Sequence, residues 1–363
     1  MTVGFPHMGN AWLAAKAVLD DLGVDYVVAP PTSRRTLELG GRHTPEGACL
    51  PLKITVGNLM EACELGADTQ LMVGSWGPCR FGYYCQMQRE ILQDAGCVME
   101  PLHLEVCAQG PAELARRVRR LAGHLDPLRL GAAMLGASAV ATAADSLERA
   151  WLAAKSRETR PVRADALYNG AQAQARDTRG SRALCRLLRR TEAALRAVEP
   201  QGRPKLRVGL VGEIYGTIDP WTNMDLQGRL AAMGVYTERH VTVSHWVNEY
   251  MLKKALHLPR DIPFVEASRG YIGADIGGHT RETLGHTVMH ARQGFDGVIQ
   301  LYPLGCMPEI VAQTILPAVS RDFDLPVLTL ILDEMTGEAG YLTRLEAFMD
   351  LLTARKEARE HVT

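Results

Sequence analysis

Short apolar runs alternate with amphipathic helical patterns in two separate parts of the chain, and this alternation is the strongest constraint on its fold. In residues 1–110 the runs TVGF, DYVVAP, DTQLMVG and CVMEPLHL are typical of strands. In residues 206–363 the runs LRVGLVGEIY, VYTERHV, DGVIQLYPLG and LPVLTLILD alternate with helical segments in the same way. Such alternation predicts a parallel sheet covered by helices. We therefore expect an α/β fold with two doubly wound domains.

The middle of the chain, residues 111–205, has helical patterns only. The apolar residues have helical spacing in three segments, PAELARRVRRLAGHL, ADSLERAWLAAKSRE and RALCRLLRRTEAALRAV. The arginines of these segments fall mostly on the polar side of each pattern. The segment EPQGRPK, which closes this part, has the Pro, Gly and charge content of a linker. We expect a helical insert and linker between the two α/β domains.

Composition narrows the classes of function. A chain of 363 residues is too long for one ordinary core. A net charge of −1 argues against a nucleic-acid-binding surface. We find neither an apolar run of the roughly 18 residues that a membrane span needs nor the pattern of a signal peptide. These features predict a cytoplasmic protein, in which eight cysteines serve metal binding, catalysis or core packing rather than a disulfide framework.

Three of the cysteines share a local context. Cys49 in GACLPLKI, Cys79 in GSWGPCRFGYY and Cys306 in PLGCMPEI each stand where a turn containing Gly or Pro gives way to a helical pattern. The backbone N–H groups and the dipole at a helix N-terminus stabilise a thiolate, which is the metal-binding form. Glycines such as Gly77 and Gly305 would let N–H groups approach a bound cofactor, and Arg80 would add positive charge.

The residues leave three interpretations of this triplet open. Three thiolates from both α/β domains, meeting at an interdomain cleft, suit a [4Fe–4S] cluster with one open iron. They also suit zinc with a fourth ligand from His7 or His279. The third interpretation is three buried thiols that happen to stand at helix starts.

Other candidate residues have a structural interpretation beside the functional one. The pattern GGHTRE is typical of either a phosphate-cradling turn or a helix capping box, and His279 within it is either a proton donor or a solvent-facing or capping residue. Glu309 either complements its helix dipole or takes part in catalysis. We expect core roles for Cys63, Cys97, Cys107 and Cys185, and we favour packing for Cys85 although it lies near Cys79 in sequence.

Several segments together resemble a known family. They are FPHMGN, ACLPLK, GPCRFGYY, GEIYG, IGGHTRETLGH, FDGVIQLYPLGCMPEIVAQ and DEMTGEAGYLTRLEAF. These segments resemble the 2-hydroxyacyl-CoA dehydratase-like superfamily, and within it the branch of activase-related or CoA-enzyme-activase-associated proteins. The resemblance covers most of both α/β parts and little of the helical middle.

The resemblance implies two flavodoxin-like domains and one iron–sulfur cluster held by Cys49, Cys79 and Cys306. It also implies a separate partner, an ATP-hydrolysing activase with its own iron–sulfur cluster, which delivers low-potential electrons. In the dehydratases the electron passes to an acyl-CoA thioester as a ketyl radical. In the double-cubane proteins of the superfamily, an [8Fe–9S] cluster reduces small molecules.

This chain departs from both patterns. It has no second triplet of cysteines in matching positions, so a double cubane would need two chains across a dimer axis. No P-loop is present, so any ATP would be hydrolysed by the partner. We therefore expect an oxygen-sensitive iron–sulfur protein, as a homodimer or a heterodimer with a related subunit, that reduces or dehydrates an acyl-CoA or a small molecule. The alternatives are a non-catalytic electron-carrying or scaffold subunit and a zinc-stabilised binding protein.

Overall fold

The structure is a computed structural model that describes residues 1–73, 79–104, 116–117, 119–121, 123, 126–158, 162–198, 202, 204–253 and 257–361. The chain divides into two compact units. The first comprises Met1–Glu148, Tyr168–Ala193 and Val243–Arg260, and the second comprises Arg149–Leu167, Ala194–Thr242 and Asp261–Thr363. Each unit contains one four-stranded parallel sheet, so the predicted α/β class with two parallel sheets is confirmed.

The sheet of the first unit has the strand order β2-β1-β3-β4, and all its neighbouring strands are parallel. Its strands are β1 (Val3–Phe5), β2 (Tyr26–Val28), β3 (Thr69–Val73) and β4 (Glu100–Leu104). The helices that follow or precede them are α1 (Ala11–Leu22), α2 (Arg34–His43), α3 (Leu50–Glu64) and α4 (Phe81–Asp94). Each of these strands coincides with an apolar run of the sequence.

Helix α3 shows why packing rather than helix propensity decides this region. It contains the β-branched run Ile54–Val56, yet it is helical because nearly all of its side chains are buried. Leu52, Val56 and Leu59 are fully buried in a core that also includes Leu92 of α4. Burial of each of these side chains contributes roughly 1.5–3 kcal/mol to the stability of the fold.

Three long helices follow the first sheet: α5 (Pro127–Lys155), α6 (Val162–Asp177) and α7 (Ser181–Arg196). The predicted helix at 111–125 lies mostly outside the described residues. After strand β6 (Val235–Arg239) of the second sheet come the short helix α10 (Val243–His245) and a π-helical segment (Trp246–Leu252), both in the first unit.

Contrary to the expectation from the sequence, helix α5 is long and apolar enough to span a membrane by length and composition alone. The most apolar 18-residue window of the helix is 44% buried inside the protein. Its buried carboxylates have polar partners: Asp145 accepts a hydrogen bond from the backbone N of Ser244 at 2.8 Å, and Glu148 accepts one from Asn10 at 3.1 Å. Buried polar side chains in folded proteins normally have such partners.

The sheet of the second unit repeats this arrangement, with the order β6-β5-β7-β8 and parallel neighbours throughout. Its strands are β5 (Leu206–Gly212), β6 (Val235–Arg239), β7 (Gly297–Pro303) and β8 (Val327–Leu332). The helices of this unit include α8 (Ile214–Ile218), α9 (Leu226–Ala232), α11 (Pro263–Ser268), α12 (Thr280–Arg292), α13 (Met307–Asp322) and α14 (Glu338–Glu360). Strand β7 is buried along its whole length, as expected for a central parallel strand.

Candidate functional site

The strand order of each sheet identifies the edge at which a ligand would bind. In open parallel sheets, ligands bind outside the carboxyl ends of the strands, where the order of strands reverses. That point lies between β1 and β3 in the first unit and between β5 and β7 in the second. Helices that precede or follow these strands place their N-termini at the same edge.

Cys49 occupies the N-cap position of α3, at the carboxyl edge of the first sheet. Its backbone is extended, and proline stands at the second helical position, where the missing N–H costs no helical hydrogen bond. The residue is buried, with 8% of its surface exposed. The predicted position of Cys49 at a helix start therefore agrees with the structure.

The Cys49 sulfur is paired with a tyrosine of α4. Its Sγ lies 2.7 Å from the hydroxyl oxygen of Tyr84, which is almost wholly buried. Burial, and then the neighbouring Cys49, raise the pKa of the Tyr84 phenol well above its ordinary value. The phenol therefore keeps its proton, and it is the donor whenever Cys49 is a thiolate. Tyr83, the other tyrosine of the motif, is 63% exposed.

Cys79 lies in the turn before α4, and its carbonyl oxygen accepts a hydrogen bond from the backbone N of Gly82 at 3.2 Å. The next residue, Arg80, is exposed and donates from Nη1 to the carbonyl oxygen of Gly47 at 3.2 Å. This contact joins the turn that carries Cys79 to the turn that carries Cys49. Gly77 lies outside the described residues.

The other described cysteines of the first unit are buried or partly buried. Cys85 is buried, and its Sγ lies 3.7 Å from the carbonyl oxygen of Gly82. Cys63 and Cys97 are partly buried against the core of α3 and α4, and burial followed by Cys63 raises the pKa of Cys97 to about 12. Cys185 on α7 is also partly buried, while Cys107 lies outside the described residues.

His7 follows β1 at the same carboxyl edge. Its ring packs against Trp12 with centroids 5.7 Å apart, and its backbone N donates to Asn58 at 3.3 Å. Among the described residues, its buried Nε2 atom has no hydrogen-bond partner. Burial, and then Arg176, lower the pKa of His7 to about 4, so the ring is neutral at pH 7.

Cys306 occupies in the second unit the position that Cys49 occupies in the first. It is the buried N-cap residue of α13, directly after β7, and proline again stands at the second helical position. Gly305 before it has φ +77°, a conformation that favours glycine, and the backbone N of Cys306 bonds the carbonyl oxygen of Pro303 at 2.9 Å. The predicted three-cysteine set is thus divided between the units, with Cys49 and Cys79 in the first and Cys306 in the second.

Glu309, three residues after Cys306, is completely buried. Its carboxylate accepts hydrogen bonds from Thr283 of α12 at 2.9 Å and from Gln300 of β7 at 2.8 Å. Burial raises the pKa of Glu309 to about 7, against the opposing effects of Gln300 and His279. A carboxyl group with this pKa is partly protonated at neutral pH, as a general acid requires.

His279 is the N-cap residue of α12, and its Nδ1 forms a short hydrogen bond with Glu282. Burial alone would lower the pKa of this histidine, but Glu282, Glu213 and Glu309 outweigh it and raise the pKa to about 9. His279 therefore carries a proton at pH 7. Glu213 comes directly after β5, where it accepts from the backbone N of Gly216 at 2.9 Å, and burial raises its pKa.

The capping-box interpretation of GGHTRE is wrong. Among the described residues, no side-chain hydrogen bond caps α12. Instead, Thr280 donates to the carbonyl oxygen of Pro308 at 2.7 Å, and Thr283 donates to Glu309. Both threonines thus hold α12 against the start of α13, which a sequence cannot show because the two helices are separated by a strand.

The second unit therefore contains a buried cluster of titratable side chains at the carboxyl edge of β5 and β7. Glu213, His279, Glu282 and Glu309 interact there electrostatically beside the N-terminus that carries Cys306. Perturbed pKa values of this kind concentrate at functional sites. The sequence indicated His279 and Glu309 as candidates, but it did not indicate that Gln300 and Thr283 bind the glutamate.

In comparisons with known proteins, no family model matches the chain and no curated protein matches its sequence.

Proposed function

We propose that this chain is an iron–sulfur protein of the 2-hydroxyacyl-CoA dehydratase type. Cys49, Cys79 and Cys306 would hold a [4Fe–4S] cluster that receives low-potential electrons from a separate ATP-hydrolysing activase. The electron would serve the reduction or reductive dehydration of an acyl-CoA or a small molecule. The observation that carries this proposal is the repeated placement of Cys49 and Cys306, each a buried N-cap residue with proline two residues later, at the carboxyl edge of two sheets with the same strand order.

The donor set fits such a cluster. Thiolates are the usual ligands of iron–sulfur clusters, and hydrogen bonds to their sulfurs set the reduction potential. The helix N-termini at Cys49 and Cys306 supply positive partial charge, and the phenol of Tyr84 supplies a donor to the Cys49 sulfur. A bound cluster would supply one-electron transfer at low potential and an open iron for a substrate oxygen or thioester.

The other groups of the second unit suit the proton chemistry of a dehydration. Loss of a hydroxyl group as water requires a proton donor near the leaving oxygen. Glu309 and His279 both hold protons in the neutral pH range. Glu213 and Glu282 keep His279 protonated, because their negative charge favours the imidazolium.

The proposal is tested by electron paramagnetic resonance of anaerobically purified protein reduced with titanium(III) citrate. We expect the signal of a reduced cluster in the wild-type protein and in Cys185→Ser, a control on α7 that is not a member of the triplet. The variants Cys49→Ser and Cys306→Ser should lose or strongly change the signal. Identical spectra in all four proteins, or no cluster signal in any of them, would contradict the proposal.

A second assay separates an enzyme from an electron carrier. The reduced protein is incubated with a 2-hydroxyacyl-CoA, and enoyl-CoA is measured by mass spectrometry. Formation of enoyl-CoA that Glu309→Gln diminishes, while Cys185→Ser does not, would support a catalytic role. A reducible cluster in a protein that forms no enoyl-CoA would favour the non-catalytic electron-carrying subunit.

A further inference from the structure

Three side chains with metal-ligating atoms meet on one face of the second sheet, beneath helix α12. Glu238 lies in β6, and His240 is the first residue after that strand. Because the two residues are two positions apart, their side chains lie on the same face of the sheet. His290 lies on α12, four residues after His286. The carboxylate and imidazole ligand atoms of Glu238, His240 and His290 all lie within 4.8 Å of one another.

A glycine of the neighbouring strand makes room for this group. Gly209 of β5 pairs in register with Glu238, and a Cβ atom built at Gly209 would lie 2.4 Å from Cδ2 of His290. The imidazole of His290 can lie against the sheet only because position 209 has no side chain. Phe295 packs against the same ring, with centroids 4.5 Å apart.

His290 is completely buried, yet neither of its ring nitrogens has a hydrogen-bond partner among the described residues. A buried polar group without a partner costs about 1–3 kcal/mol, so such a group requires an explanation. His240 repeats the pattern. Its Nε2 lies 3.1 Å from Glu238 Oε1, but it makes no hydrogen bond of normal geometry within the described part of the chain.

We propose that Glu238, His240 and His290 form a binding site for a divalent first-row transition-metal ion, with Zn²⁺ as the foremost candidate. Two imidazole nitrogens and one carboxylate oxygen are a ligand set that Zn²⁺ accepts, with a fourth position left for water or another ligand. Imidazole ligands disfavour Mg²⁺ and Ca²⁺, which bind oxygen.

An ion can reach this site from solvent. The side chain of Glu238 is 26% exposed and that of His240 is 30% exposed, whereas His290 forms the buried wall. His286 stacks on His240 with ring centroids 4.6 Å apart and so restricts the orientation of that ring. The site contains no cysteine, and it is therefore independent of the proposed iron–sulfur function.

The test is isothermal titration of the untagged, chelator-treated protein with Zn²⁺. We expect a site of one ion per chain whose affinity falls at least about tenfold in Glu238→Gln and in His240→Gln, since losing a ligand weakens a metal site at least as much as losing an outer-shell contact. His43→Gln, an exposed histidine of the first unit, is the matched control and should leave the affinity unchanged. Cys306→Ser should also leave it unchanged.

The visible spectrum of the Co²⁺-loaded protein, in the wild type and in Cys306→Ser, is the second measurement, and it does not require that the variants at Glu238 and His240 fold. We expect ligand-field bands that remain in Cys306→Ser without a thiolate-to-cobalt charge-transfer band, because no sulfur belongs to the set. Three results would overturn the proposal. They are no Zn²⁺ binding by the folded protein, affinities within twofold of wild type in Glu238→Gln and His240→Gln, and a Co²⁺ spectrum in which every band, ligand-field and charge-transfer alike, disappears in Cys306→Ser.

Discussion

Replacing Glu309 by glutamine removes a buried carboxyl group whose pKa burial raises to about 7 from an ordinary value of 4.5. Between these two pH values the folded protein holds one proton more than the unfolded chain, so the stability of the wild type falls as the pH rises through this window. Each pH unit between the two pKa values costs about 1.4 kcal/mol, so the full loss is roughly 3 kcal/mol. Glutamine does not titrate, and its amide can still bond both Gln300 and Thr283.

The measurement is urea denaturation, followed by circular dichroism, of the wild type and Glu309→Gln between pH 5 and pH 8. We expect the free energy of unfolding of the variant, relative to the wild type, to increase by about 2–3 kcal/mol over this range. Glu346→Gln, an exposed glutamate of α14, is the control and should show no such trend. If the difference in free energy of unfolding between Glu309→Gln and the wild type changes by less than about 0.5 kcal/mol over this pH range, the burial argument for Glu309 is refuted.

Three further predictions follow from single contacts. Tyr84→Phe removes the hydroxyl beside the Cys49 sulfur, so the reduction potential of the cluster should fall, whereas Tyr83→Phe, which alters an exposed ring, should leave it unchanged in an anaerobic redox titration. Gly209→Ala should lower the free energy of unfolding in urea by about 1–3 kcal/mol, because the added Cβ meets the His290 ring. The control Gly170→Ala, where nothing lies within 4 Å of the added Cβ, should stabilise its helix by about 0.5–1 kcal/mol. His279→Gln should destabilise the protein most below pH 6.5 and progressively less as the pH rises through about 9, since the folded-state pKa is raised; a loss that does not depend on pH would contradict this assignment.

The strands and the helix starts were predictable because they depend on local patterns. Strand β7 is an apolar run interrupted only by Gln300 and is buried throughout, and the C-x-P pattern at Cys306 coincides with an N-cap followed by proline. Gly23 ends α1 in the left-handed conformation that a terminal glycine predicts. Each of these features is determined by a few consecutive residues.

Helix α2 shows where local patterns were insufficient. Its sequence RRTLELGGRH contains two glycines and few apolar residues, so its hydrophobic periodicity predicts no helix. The available signal was the capping box at its start, where Ser33 and Thr36 bond each other's backbone N–H groups. A search for caps as well as for apolar spacing would have found it.

The polar groupings of the second unit were not predictable, because they join residues that are far apart in sequence. Glu309 meets Thr283, 26 residues away, through the packing of α12 on α13. The Glu238, His240 and His290 site depends on register: Gly209 of β5 pairs with Glu238, and the absence of a side chain there admits the His290 ring. A single sequence contains the residue types of such a site but not their proximity.

The central claim is that Cys49, Cys79 and Cys306 together hold one iron–sulfur cluster. Its most direct test is the iron, acid-labile sulfide and zinc content of anaerobically purified protein, beside Cys306→Ser and the control Cys185→Ser. We predict about four irons and four sulfides per chain in the wild type and in Cys185→Ser, and their loss in Cys306→Ser. The same iron content with excess sulfide, in a protein that is a dimer, would instead indicate cubanes bridged between chains. Zinc without iron, or a metal content that Cys306→Ser leaves unchanged, would contradict the account.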